Sequence, residues 1–97
     1  MEAIAEDTVL SLSANASFQS LGEDAVILMI DSGQLYTCNE TTEAFLKLVD
    51  GRRRFGAIVD QLTGEFAVER ETAAVDLLAV AHELRSEGIL DITHAAP

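Results

Sequence analysis

Residues 24–51 read DAVILMIDSGQLYTCNETTEAFLKLVDG, and the order of signals in this stretch decides the fold. Ala25 to Ile30 is a continuous apolar run rich in β-branched residues. Its length suits a strand covered on both faces better than a helix. Asp31-Ser32-Gly33 supplies a turn, with Gly33 free to take a positive φ. Gln34 to Cys38 returns as an antiparallel strand. Asn39 is a good helix N-cap, and Glu40 and Glu43 lie at the positive end of the helix that follows. Ala44, Phe45, Leu48 and Val49 give that helix an apolar face, and Asp50-Gly51 ends it. A hairpin that feeds straight into a helix means a small sheet backed by a helical layer. It also leaves strand backbone near an edge, where another chain can pair.

Outward from this stretch the signals are simpler. Thr8 to Ser13 alternates in part and reads as a short strand or an extended arm. Ala16 to Leu21 is a strand candidate centred on Phe18, and Gly22-Glu23-Asp24 supplies a turn. On the other side, Phe55, Ile58, Val59 and Leu62 repeat at helical spacing. That helix starts near Arg54 or Phe55, and Gly64 ends or loosens it. Phe66 and Val68 then fall in a connection and are expected to plug the core. A third helix is expected from about Glu71 to Glu87, stopped by Gly88, with Ile89, Leu90 and Ile92 in a short extended piece. There is no repeat and no linker. The expected organisation is an N-terminal arm or short strand over 1–14, one domain over 15–92 and a flexible tail over 93–97.

Bulk properties narrow the function classes. The chain has 97 residues, 48% of them hydrophobic, enough for one domain with a modest core. The run Ala25 to Ile30 is far short of the roughly 20 residues a membrane-spanning helix needs. The acidic start, MEAIAED, lacks the basic region of a signal peptide, so a soluble, cytoplasmic protein with no membrane partner is expected. Cys38 is the only cysteine, and His82 and His94 are the only histidines, so neither an internal disulfide nor a structural metal site is expected. The acidic residues show no metal-ligand spacing, and no cofactor is implied. The net charge is −11, from 17 acidic and 6 basic residues, which repels nucleic acid on average.

The third helix has an unusually broad apolar sector. At about 100° per residue, Asp76, Glu83 and Glu87 share one narrow polar stripe. The mostly apolar remainder spans roughly 200°, about twice what core packing requires. One side can pack on the other helices. The side carrying Val75, Leu78, Ala79 and His82 then needs a second partner: the protein's own sheet, another subunit or a bound peptide.

Cys38 and His82 could act as nucleophile and base if they met, but no oxyanion donor or third group accompanies them. A buried thiol beside an unrelated histidine is the plainer reading. No catalytic residue is expected. Arg52, Arg53 and Arg54 form a solvated connector, a docking point for an acidic partner, or a phosphate contact. Tyr36 is either a core residue or a groove residue. Asp31 and Asn39 are explained by turn and cap geometry alone.

The runs VILMIDSGQLYTCNETTEAFLKLVDG and FGAIVDQLTGEF, followed by a helix ending LRSEGIL, resemble the PqqD family. The family pattern is an apolar strand, D-x-G, an aromatic residue, an Asn, a helix closing at D-G, a short helix, and a last helix ending in L-x-x-x-G-L/I-L. Asp31, Gly33, Tyr36, Asn39, Leu48, Asp50, Gly51, Ile58, Leu62, Leu84, Gly88 and Leu90 fit it, and the resemblance covers roughly residues 16 to 92. It implies an α+β fold, a small antiparallel three-stranded β-sheet followed by three helices in a winged helix-turn-helix-like arrangement. It further implies a RiPP recognition element: a non-catalytic module that binds the leader of a ribosomally synthesised precursor peptide by β-strand addition and presents it to a modifying enzyme. Carried over, the groove would have Gln34, Leu35, Tyr36, Thr37 and Cys38 on one wall and Val75, Leu78, Ala79 and His82 on the other. The stretch VILMI lacks the basic and aromatic run associated with pyrroloquinoline quinone pathway members, so a lasso peptide precursor is an equally good cargo. The alternatives are a structural dimerisation module, with a strand-swapped homodimer, and a winged-helix transcriptional regulator.

Overall fold

The computed structural model describes residues 4–22 and 24–93. Glu23 of the expected turn and the tail residues His94 to Pro97 lie outside them. Three strands form an antiparallel meander: β2 (Ala16–Leu21), β3 (Asp24–Met29) and β4 (Leu35–Cys38), in the order β2-β3-β4. Three helices follow, α1 (Glu40–Leu48), α2 (Phe55–Phe66) and α3 (Arg70–Ser86). A separate two-stranded ribbon joins β1 (Val9–Leu12) to β5 (Leu90–Thr93).

The β3–β4 hairpin closes as its turn residues demand. The Met29 amide donates to the Gln34 carbonyl at 2.8 Å, and the Gly33 amide, at φ 73°, donates back to the Met29 carbonyl. Register then fixes the faces. Ala25, Ile27 and Met29 are buried, and Cys38, Tyr36, Phe18 and Ala16 lie opposite them on the same inner side. The expectation that this strand is covered on both faces is corrected. Leu28 and Leu35 are cross-strand partners on the outer face, 41% and 59% exposed. The helices all lie on the inner side, so only one face of the apolar run is used.

Asn39 caps α1, its side-chain oxygen accepting from the Thr42 amide at 2.8 Å. Asp50 lies beyond the helix and accepts the amides of Arg52 and Arg53, starting the turn into α2. Phe45 and Phe55 meet edge to face in the core, with centroids 6.4 Å apart. α2 continues through Gly64 to Phe66 and ends at Ala67, which takes a left-handed conformation at φ 53°. Phe66 and Val68 therefore overhang the core, 37% and 44% exposed, instead of plugging it.

The N-terminal segment is integral to the domain. Ile4 and Leu10 are buried in the core, and the carbonyls of Glu6 and Thr8 accept the amides of Gly56 and Phe55 at the start of α2. Thr93, assigned above to the tail, pairs with Val9 in the ribbon.

Candidate peptide-binding groove

β4 is an outer strand of its sheet, and its free margin faces α3. The Met29–Gln34 bond sets which backbone groups are free. In an antiparallel pair, hydrogen-bonded and non-hydrogen-bonded positions alternate. Gln34, Tyr36 and Cys38 therefore turn their backbone groups toward β3. Leu35 and Thr37 turn theirs outward, presenting two donors and two acceptors to an incoming strand.

Between this margin and α3 runs an open groove of about 280 Å³. Tyr36, Thr37, Cys38 and Asn39 form one wall, and Val80, Glu83, Leu84 and Glu87 form the other. Ile27, Thr42 and Ile89 complete the lining. The Tyr36 hydroxyl donates across the groove to Glu87 Oε2 at 2.9 Å. That carboxylate pushes the Tyr36 phenol above its ordinary value. Burial, and then the Glu43 carboxylate, push the Cys38 thiol up, so it stays a neutral thiol at neutral pH. A protonated thiol is a poor nucleophile. His82 is exposed and does not line the groove, so the pairing a Cys–His mechanism requires is not present.

A separate, mostly apolar hollow of about 230 Å³ is lined by Thr41, Leu62, Phe66, Val68, Ala73, Asp76 and Leu77. A larger hollow of about 340 Å³ lies between α1 and α2, but its wall mixes Glu40, Glu43, Lys47 and Glu65 and no strand margin borders it.

The expected site is thus assembled in part. Tyr36, Thr37 and Cys38 line the groove, whereas Gln34 is in the turn and the Leu35 side chain faces outward. On α3 the expected residues lie away from this groove. Val75 and Leu78 lie instead beside Ile4, Ala5 and Phe55, with Val75 64% exposed, and Ala79 and His82 are exposed. The reason is angular. Ala73, Leu77, Ala81 and Leu84 form the buried stripe of α3. Val80, Glu83 and Glu87 flank that stripe on the β4 side, while Ala74 and Leu78 flank it on the N-terminal side. Two residues of the acidic stripe, Glu83 and Glu87, line the groove. The signal that finds it is the i, i+4, i+8 row Ala73, Leu77, Ala81, which fixes the inward direction.

Arg52, Arg53 and Arg54 are exposed and lie away from the groove. Arg53 bonds the Leu48 carbonyl and pairs with Asp50, and Arg54 precedes α2. Among the described residues no cluster of His, Cys, Asp and Glu could hold a metal ion, and no helix is long and apolar enough to cross a membrane.

A meander whose β4 margin faces the last of three helices across a groove defines a small α+β domain. The chain belongs to the family described as coenzyme PQQ synthesis protein D (PqqD), whose model matches residues 24–90. It is 32% identical over 87 residues to a PqqA binding protein of Gluconobacter oxydans (strain 621H), spanning 90% of this chain and 91% of the relative. Two solved structures share the fold. One is TbiB1 in complex with the TbiA(beta) leader peptide, with a TM-score of 0.78 and 21% identity over 89% of this chain and 99% of that one. The other is lasso peptide synthetase B1 complexed with the leader peptide, with a TM-score of 0.76 and 24% identity over 90% of this chain and 99% of that one.

Proposed function

We infer that this protein binds the leader of a ribosomally synthesised precursor peptide as an added strand on β4. It presents the precursor to a separate modifying enzyme and performs no chemistry itself. The observation that carries this reading is the outward-turned backbone of Leu35 and Thr37 beside a groove walled by α3. An extended peptide laid there satisfies four backbone groups and places alternate side chains against Val80 and Leu84. The family relative named for binding PqqA, and the solved neighbours complexed with leader peptides, support leader binding. The Cys38 thiol, kept neutral by burial and by the Glu43 carboxylate, is a poor nucleophile, which favours a binding role over a catalytic one.

Holding the substrate near an enzyme raises its effective concentration, which is how a non-catalytic module accelerates a modification. Arg52, Arg53 and Arg54 form the docking point for that enzyme. They project from the turn between α1 and α2, so a partner can engage them while the groove is filled. DNA recognition is disfavoured. α3 carries Glu71, Asp76 and Glu83 against Arg70 and Arg85, and Arg70 is held by Glu6 and Asp60.

The test is hydrogen exchange with synthetic peptides that reproduce the PqqA and TbiA(beta) leaders named for the relatives. The amides of Leu35 and Thr37 should gain protection on binding. A leader that binds without protecting these two amides rules out strand addition at β4.

A further inference from the structure

We propose that the groove selects a leader carrying a lysine or arginine, whose cationic head lies between Glu83 and Glu87 in place of the Tyr36 hydroxyl. This rests on the strand-addition reading above and adds a chemical requirement to it.

The groove contributes two carboxylates, Glu83 and Glu87, and among the described residues no basic side chain lines it. The described ion pairs engage Glu43, Asp50, Glu6 and Asp60, and none involves Glu83 or Glu87. The one side-chain partner across the groove is the Tyr36 hydroxyl, a neutral donor on Glu87. A cation is a better partner for that carboxylate than a phenol, since charge-assisted hydrogen bonds are roughly twice as strong as neutral ones. Covering the groove with a peptide also removes water from the pair and strengthens it.

Geometry places the cation. Glu83 and Glu87 are four residues apart on one helix, about 6 Å along its axis. One ammonium or guanidinium can reach both. Alternate side chains of an added strand face α3, so the apolar surface of Val80 and Leu84 receives the neighbour two residues away. The recognised pattern is a basic residue spaced by one from an apolar residue. The chain's net charge of −11 adds long-range attraction for such a peptide.

The experiment pans a randomised dodecapeptide display library against the full chain and against the E83Q/E87Q variant. Both glutamates are exposed, and glutamine keeps an acceptor for Tyr36, so the variant should fold; circular dichroism checks this. Enriched peptides should carry Lys or Arg two positions from an apolar residue. A synthetic representative should bind E83Q/E87Q about tenfold more weakly at low salt. An E83K/E87K variant should recover affinity when the peptide's basic residue is exchanged for Glu, which no merely structural role of the glutamates would produce. Enrichment without a basic preference, or a preference unchanged in E83Q/E87Q, overturns the proposal. If those peptides still protect the Leu35 and Thr37 amides, strand addition stands and charge selection alone fails. If no peptide protects these amides, both fall together.

Discussion

Replacing Thr37 with proline removes one outward-facing donor and nothing else from the backbone ladder. The Thr37 amide points away from β3, so the hairpin keeps its bonds at Tyr36 and Cys38. Proline is tolerated on an edge strand when its missing N–H faces outward. Tyr36 already has the extended conformation that a residue before proline requires. The folded domain should therefore lose little stability. A bound peptide loses more, because its carbonyl opposite position 37 is enclosed without a donor. Leaving a buried acceptor unpaired costs about 1–3 kcal/mol. At about 1.4 kcal/mol per tenfold, the leader should bind roughly 5- to 150-fold more weakly. Tyr36→Pro provides the contrast, since it deletes a ladder bond to β3 and should lower the thermal midpoint. Calorimetric titration of a synthetic leader, run beside thermal melts of both variants, measures the two effects separately. Leader affinity within twofold of the parent in a folded Thr37→Pro protein would refute pairing at β4.

Two further expectations follow from the α3 faces and the acidic surface. Val80→Asp puts a third carboxylate in the groove wall and should weaken the leader by at least about tenfold, whereas Val75→Asp, on the exposed side of α3, should leave affinity unchanged; the same titration reads both. Hydrogen bonds from Arg70 to Glu6 and from Ser20 to Glu43 hold both carboxyls below their ordinary value of 4.5. A depressed folded-state value means that the unfolded chain takes up the proton first, so this stability is full above about pH 4.5 and is lost as pH falls through the lower folded values. Thermal midpoints should decline below pH 4.5, and Arg70→Ala should make that decline shallower; an unchanged slope in the variant counts against Glu6 as a contributor.

Local signals were readable where one residue type settles one conformation. Gly33 and Gly88 take positive φ at the positions where a turn and a helix stop were expected, and Asn39 bonds the amide it should. The hairpin and the three helices follow from these and from apolar spacing. Reading failed where the deciding contact is non-local. Gly64 does not end α2, because a glycine inside a helix costs only about 1 kcal/mol and the next turn still packs. The cap falls instead on Ala67, whose positive φ no propensity suggests. Which α3 residues stand beside β4 was not legible, because apolar residues surround most of that helix. Periodicity cannot rank two apolar flanks when both are present. Their ranking comes from Ile4 and Phe55, which lie far away in sequence and pack near Ala74 and Leu78.

The placement of the N-terminal segment explains why a groove exists at all. A wide apolar sector on α3 and an open margin on β4 are each hazards for association if left uncovered. The chain has one spare strand, β1, that could cover the margin. It pairs instead with β5, and the segment before it passes over the start of α2, where Arg70 holds Glu6 and the Gly56 and Phe55 amides bond its carbonyls. This arrangement sets Ile4, Ala5 and Phe55 beside Ala74 and Leu78 and leaves the groove beside Val80 without a strand in it. The same packing therefore places the N-terminal segment on one flank of the helix and keeps the other facing an unpaired strand. The carboxylates Glu83 and Glu87 border that second flank, and charge on it opposes self-association of two acidic copies while leaving an oppositely charged segment free to enter.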